Sequence, residues 1–274
     1  MAADEFEQVR RERDPLRQAQ RATDLLATYQ QRGVELARLR RDAVERAADE
    51  LGLSYSAVAA RIGLSKGRIT QIRQSAPLTE RGFFGVGPLT VAVPLRAMPA
   101  RPSGVIAHED ALASERLTGL LTGLQFQVRT LHIPPDGDWR PPAEAIAICG
   151  PKSSRVTVEA IASDPHLAFD QGPQGHWSIR DRLTNEEVKS PMDEGIDSED
   201  FAYVGRLPYR DHLLFVIAGI HALGSLGAVD YLTANLKALY ATVGQAPFSL
   251  VVRSTFDGNT VTKSEALWGP RAHP

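Results

Sequence analysis

Residues 51–76 hold no acidic side chain but four basic ones, Arg61, Lys66, Arg68 and Arg73, a local asymmetry that draws a polyanion. Between and beside these cations stand a hydroxyl at Ser65, another at Thr70, and the amides of Gln71 and Gln74. Cations suit phosphates, and amides and hydroxyls suit the edges of bases. Ser65, Lys66, Arg68, Thr70, Gln71, Arg73 and Gln74 are therefore a candidate contact set for double-stranded DNA. On charge alone, the competing reading is a solvated helix face.

Two further segments carry chemistry of a different kind. In AIAICGPKSSRVTVEAI, 145–161, an apolar run ends at Cys149 and Gly150 and releases Lys152, Ser153 and Ser154 into a turn. A lysine, two hydroxyls and free amides suit a phosphate, although the upstream glycine and the Gly-Lys-Ser/Thr order of a Walker A loop are absent. In LLFVIAGIHALGSLGAVDYLTANL, 213–236, a strand-like run meets Gly219, Gly224 and Gly227 before a helical pattern begins, with His221 and Ser225 among them. The spacing is not that of the G-x-G-x-x-G fingerprint, so dinucleotide recognition is not expected. The same glycines would equally let a helix pack close to a sheet. If both loops lie at the carboxyl ends of neighbouring strands, Gly150, Lys152, Ser153, Ser154, Gly219, His221, Gly224, Ser225 and Gly227 would line one crevice fit for a small, nucleotide-like anion.

No catalytic or metal set reaches comparable specificity. The seven histidines show no HExxH spacing, and Cys149 is the single cysteine, so no metal, resident cofactor or disulfide framework is expected. Ser153, His221 and Asp200 could be assembled on paper into a triad, but no GxSxG elbow accompanies them. Asp193, Glu194, Asp197, Glu199 and Asp200 lie in a stretch that reads as solvated loop, from which one carboxylate could reach a ligand.

The elements that must hold these residues follow from the apolar spacing. In YSAVAARIGLSKGRITQIRQ, 55–74, Val58, Ile62, Leu64, Ile69 and Ile72 fall where two short crossing helices would bury them together. Ala59 sits at the closest approach, Gly63 can take the positive φ that ends the first helix, and Ser65 can cap the second. With Ile69 and Ile72 inward, Lys66, Arg68, Thr70, Gln71 and Gln74 turn outward. The segment resembles, over about 20 residues, the helix-turn-helix of bacterial regulators, including those close to sigma-factor region 4; the match lies at the small residue, the turn glycine and the apolar positions. A plain packing or protein-contact unit is the alternative. Upstream, residues 16–52 contain no proline and carry Leu25, Leu26, Tyr29, Leu36, Leu39, Ala43, Val44 and Ala47 at helical spacing, predicting one or two helices with Gly33 as a break. The later part would support the motif; the earlier part would either dimerise the protein or pack within its own domain.

Residues 75–90 contain Pro77, Gly82, Gly85, Gly87 and Pro88 and mark a boundary. The expected organisation is a helical domain over 1–76, a linker over 77–87 in which Phe83 and Phe84 are too apolar for a free tether, and a second domain over 88–274. Apolar runs at 89–95, 126–133, 145–149, 202–207, 213–219 and 248–252 predict strands, with helices at 108–123, 153–163 and 225–242. That alternation predicts a Rossmann-like α/β domain, with antiparallel additions at HWSIRDRL and TVTKSEAL, so the whole reads as α + α/β.

A chain of 274 residues, 43% apolar and 23% charged, is long enough for two such units. Residues 1–76 carry 14 Lys/Arg against 11 Asp/Glu and residues 77–274 carry 17 against 22, so the net charge of −2 hides two different surfaces. The charged opening MAADEFEQVRRERD lacks the apolar stretch of a signal peptide, and the longest apolar run, 213–224, is too short to span a bilayer; a cytoplasmic protein without membrane contact is expected. The whole-chain pattern resembles actinobacterial-type one-component regulators whose second domain senses a metabolite. That resemblance implies a homodimeric transcriptional regulator binding double-stranded DNA and a small anionic ligand. The alternative is a nucleotide-processing or nucleotide-sensing effector whose helical module recruits a partner.

Overall fold

The computed structural model describes residues 2–99 and 101–274 and combines helices with a large mixed sheet. The chain divides into two compact units, one of residues 1–81, 86–88 and 124–127, the other of residues 82–85, 89–123 and 128–274.

The first unit is helical: α1 (Ala2–Arg11), α2 (Pro15–Glu50), α3 (Tyr55–Arg61) and α4 (Lys66–Ser75). Asp14 caps α2 by accepting from the amides of Leu16 and Arg17, with Pro15 in the first turn where its missing N–H costs nothing. The helix then runs unbroken through Gly33, where the sequence predicts a break; a lone glycine costs only about 1 kcal/mol in a helix interior. Its buried stripe is partly polar. Arg38 lies between Glu35 (2.5 Å) and Asp42 (2.8 Å), so its charge is matched within one helix face, while Leu26, Leu36 and Leu39 are exposed.

The turn at Gly63 and the Ser65 cap expected from sequence are present, and Ser54, which the sequence reading did not single out, caps α3. Ser54 accepts from the Ala57 amide, Gly63 takes φ +71°, and Ser65 accepts from the Arg68 amide. Val44 of α2 joins Val58, Ala59, Ile69 and Ile72 in one small core, against which Leu53, Tyr55 and Leu64 pack. Ile62 is not part of it. As the residue that ends α3 it has left the helical face, and it is 50% exposed.

The second unit is built on a seven-stranded sheet. Its strands are β1 (Leu89–Pro94), β4 (Val128–Ile133), β5 (Ala145–Ile148), β9 (Glu199–Tyr209), β10 (His212–Gly219), β11 (Phe248–Asp257) and β12 (Thr260–Ala272), in the order β12-β11-β9-β10-β5-β1-β4. β4, β1, β5 and β10 run parallel, whereas β9, β11 and β12 are antiparallel to their neighbours. Residues 202–207 and 213–219, which the sequence places in the strand–helix alternation, are thus the two arms of a hairpin. The remaining strands form a hairpin, β2 (Arg96–Met98) with β3 (Arg101–Val105), and a three-stranded sheet of β6 (Leu167–Gln171), β7 (Trp177–Asp181) and β8 (Glu187–Lys189).

Helices α5 (His108–Gly123), α6 (Arg155–Ala162) and α7 (Ala222–Val243) complete this unit. Strand alternation divides the core. Ala145, Ala147, Leu214 and Val216 share a cluster with Val156, Ala160 and Ile161 of α6, and the alternate residues Ile146, Ile148, Phe215 and Ile217 turn to the other face, which α5 and α7 cover. Phe83 and Phe84 are buried with Phe215 and Phe248, ring centroids 5.2–5.9 Å apart, so this stretch is core and not tether.

Candidate functional site

In the helical unit, Lys66, Arg68, Thr70, Gln71, Arg73 and Gln74 are all exposed on α4, and Ser65 stands at its N-terminus as the cap. Burial of Ile69 and Ile72 fixes the rotation of the helix and therefore which side chains face out. Arg68 donates to Gln71 Oε1 at 2.5 Å, aligning a guanidinium and an amide on one face. Arg73 is drawn back over the Tyr55 ring, 4.0 Å from its centroid, with Glu45 at 3.7 Å. Among the described residues, neither Lys66 nor Arg68 enters an ion pair. Thr70 donates its hydroxyl to the Lys66 carbonyl, which leaves the hydroxyl oxygen as an acceptor.

In the second unit, the carboxyl ends of the parallel strands β1, β5 and β10 open into one cleft of about 380 Å³. The chain leaves β1 for β4 on one side and later returns to β5 on the other, so the cleft lies where the strand order reverses; open α/β sheets bind ligands at such a point. Both loops singled out in the sequence reach it. Gly150, Lys152, Ser153, Gly219, His221 and Ser225 line it.

Three sequence candidates lie elsewhere. Ser154 is buried as the cap of α6, accepting from the Thr157 amide at 3.2 Å and from Trp139 Nε1 at 2.9 Å. A Cβ on Gly224 would stand 2.5 Å from the Phe201 carbonyl and 2.6 Å from Asp200 Oδ2, and one on Gly227 would collide with the Ser254 side chain. These two glycines bring α7 close to β9 and β11 and face no ligand space. The anion at the start of α7 is the protein's own, since Asp200 Oδ2 accepts from the amides of His221 (3.0 Å) and Gly224 (2.8 Å). Despite those bonds, burial pushes the Asp200 carboxyl up to about 6.

The cleft also gathers residues that the sequence did not indicate. Arg96 follows β1, and Asp110 lies in the first turn of α5, their charged groups 3.5 Å apart. Burial outweighs Arg96 and pushes the Asp110 carboxyl up to about 6. Phe169 and Trp177, edge to face at 5.7 Å, supply an aromatic wall. A smaller recess of about 170 Å³ shares Lys152, Trp177, Ile220 and His221 with the cleft and adds His176 and Asp193. Asp193 Oδ1 receives His221 Nε2 at 2.9 Å and His176 Nδ1 at 3.1 Å. Partial burial would raise the Asp193 carboxyl, but these two imidazoles hold it below the usual carboxylate value. Position after a parallel strand could have marked Arg96. Asp193 is one of the five carboxylates from which the sequence expected one to reach a ligand, whereas His176 and Trp177 come from the turn before β7 and its first residue, where no motif announces them.

Cys149 is buried beside Thr157, and burial pushes its thiol up to about 12, so it is no thiolate nucleophile at neutral pH. Among the described residues, no three His, Cys, Asp or Glu side chains are grouped to hold a metal ion, and no helix is long and apolar enough to cross a membrane. Compared with protein-family models, curated proteins and solved structures, the chain matches none.

Proposed function

We propose that this chain is a cytoplasmic, homodimeric transcriptional regulator that binds double-stranded DNA through a helix-turn-helix formed by α3 and α4. In this reading a Rossmann-like domain senses a small, nucleotide-like anion. The observation that carries it is the outward face of α4, a helix with no acidic residue of its own, on which Lys66, Arg68, Gln71 and Gln74 project beside a capped N-terminus. Major-groove recognition uses such side chains at the start of a helix. The exposed Leu26, Leu36 and Leu39 of α2 favour self-association. The cleft, with Lys152, Ser153 and the Trp177 ring, favours an anionic ligand with a flat apolar part. The effector-enzyme reading is favoured by a single feature, the pair of histidines on Asp193.

Fluorescence anisotropy on an operator selected from random duplexes tests the DNA reading. Arg68→Ala and Gln71→Ala each weaken specific binding by about 1–3 kcal/mol, and the double variant loses less than the sum because the two side chains bond to each other. Lys66→Ala weakens binding to all sequences and reduces the salt slope by about 1. Unchanged affinity in all three single variants would remove the proposal.

A further inference from the structure

We infer that the cleft and its side recess together accept an RNA-type dinucleotide, two nucleosides joined by one phosphodiester, and cleave it through attack by its own 2′-hydroxyl. The inference rests on the reading of this cleft as a nucleotide site and goes beyond it by assigning an activity.

Two hollows of about 380 and 170 Å³ adjoin along a common wall made by Lys152, Trp177, Ile220 and His221. A ligand with a nucleoside in each must lay its linkage across the wall, where the Lys152 ammonium meets the phosphate and the Trp177 ring offers a stacking surface. His221 stands on that wall and His176 lines the smaller recess beside it, and the two imidazoles bond to the same oxygen of Asp193. A carboxylate oxygen only accepts, so each ring turns an N–H to it, through Nε2 of His221 and Nδ1 of His176. The opposite nitrogens, His221 Nδ1 and His176 Nε2, take part in no hydrogen bond among the described residues. Each of them is a bare acceptor when its ring is neutral and a donor when its ring is charged. One neutral and one protonated ring around a single carboxylate therefore make a base and an acid.

The step balances without any added reactant. His221 lies on the common wall and takes the proton of the 2′-hydroxyl belonging to the nucleotide in the larger cleft. The O2′ atom forms a bond to phosphorus and the P–O5′ bond breaks. His176, which lines the smaller recess, gives its proton to the departing O5′ there. Lys152 neutralises the charge that gathers on the non-bridging oxygens. The products are a nucleoside 2′,3′-cyclic phosphate and a nucleoside with a free 5′-hydroxyl, and exchange with water restores the two rings. Asp193 touches no reacting atom and is a positioning residue.

The test incubates the full-length chain with 3′→5′-linked diribonucleotides of all base combinations and with the same compounds carrying 2′-deoxyribose on the attacking side. Products are read by mass spectrometry and binding by calorimetry. Expected are a cyclic phosphate from at least one ribo compound, and binding without cleavage of its deoxy counterpart. At saturating substrate, His221→Gln and His176→Gln each lower the rate about a hundredfold or more. His176 is half exposed, so that variant should fold as the parent does. Asp193→Asn lowers kcat and leaves the bond cleaved unchanged. Cleavage of the deoxy compound, or cleavage that survives in both histidine variants, overturns the inference. Binding of dinucleotides with no cleavage overturns the activity while leaving the nucleotide site in place. Absence of both binding and cleavage overturns the two together.

Discussion

Asp110 shows how a residue's surroundings can oppose one another. The start of α5 and Arg96 both favour its charge, whereas removal from water disfavours it, and removal from water prevails. Its carboxyl stands near 3.8 in the unfolded chain and about 6 in the folded one, so the folded state holds the proton more tightly. The stability this gives is full below about pH 3.8 and is lost as the pH rises through about 6. Asp110→Asn should therefore raise the melting temperature at pH 7.5, by an amount equivalent to at most about 3 kcal/mol, and the gap should nearly close by pH 4. Melting curves of both proteins between pH 4 and 8 check this; parallel profiles would mean that Asp110 ionises as a surface acid does. None of this was legible in the sequence, which marked residues 108–123 as a helix and gave no sign that Asp110 would be buried. Gly224 and Gly227 misled for a related reason. Absence of a side chain is what a bound phosphate needs and also what a close helix–strand contact needs, and only the positions of Asp200 and Ser254 distinguish the two.

Elements were far more legible than sites. Strand and helix runs in the second unit were visible because buried parallel strands are continuous apolar segments, and the helix at 108–123 was anticipated to the residue. β2 and β3 were missed because β2 is exposed at every position and so leaves no alternation to read. The pairing of β9 with β10 was not anticipated, although no helix was expected between their apolar runs and the two-residue turn at Arg210 and Asp211 has hairpin length. In α2 the apolar pattern pointed to leucines that are exposed, while the stripe that packs contains Glu35, Arg38 and Asp42, whose mutual neutralisation no hydrophobic count detects. The turn between α3 and α4, by contrast, was written in residues with one physical use each. Ser65→Ala removes the acceptor for the Arg68 amide and should cost about 1 kcal/mol of stability in denaturant titration. The same variant should weaken operator binding by less than Arg68→Ala does, because the helix frays only at its first turn.

For the whole molecule, the proposed regulation requires that ligand and DNA each bind two states of the protein with different affinity, whether they favour the same state or opposite ones. An uncleavable 2′-deoxy dinucleotide that raises the melting temperature of the full-length chain should also change operator affinity. Saturating operator must then change dinucleotide affinity by the same factor, which paired calorimetric titrations with and without DNA would read. Equal affinities in the two titrations would leave a pocket with no part in regulation. The course of the backbone bears on how such a protein can arise. Residues 82–85 belong to the sheet unit, residues 86–88 return to the helical unit, and residues 124–127 return to it again. A single genetic crossover near residue 80 would therefore not transplant either half intact. A crossover that kept only residues 88–274 would strip Phe83 and Phe84 from the core they fill, and would leave Phe126 without the Arg81 guanidinium that lies 3.7 Å from its ring centroid. The two units therefore share their boundary residues along the chain, and if α4 reads DNA as proposed, a change of sequence preference is expected to come from substitutions along α4 and not from replacement of residues 1–80 as a block.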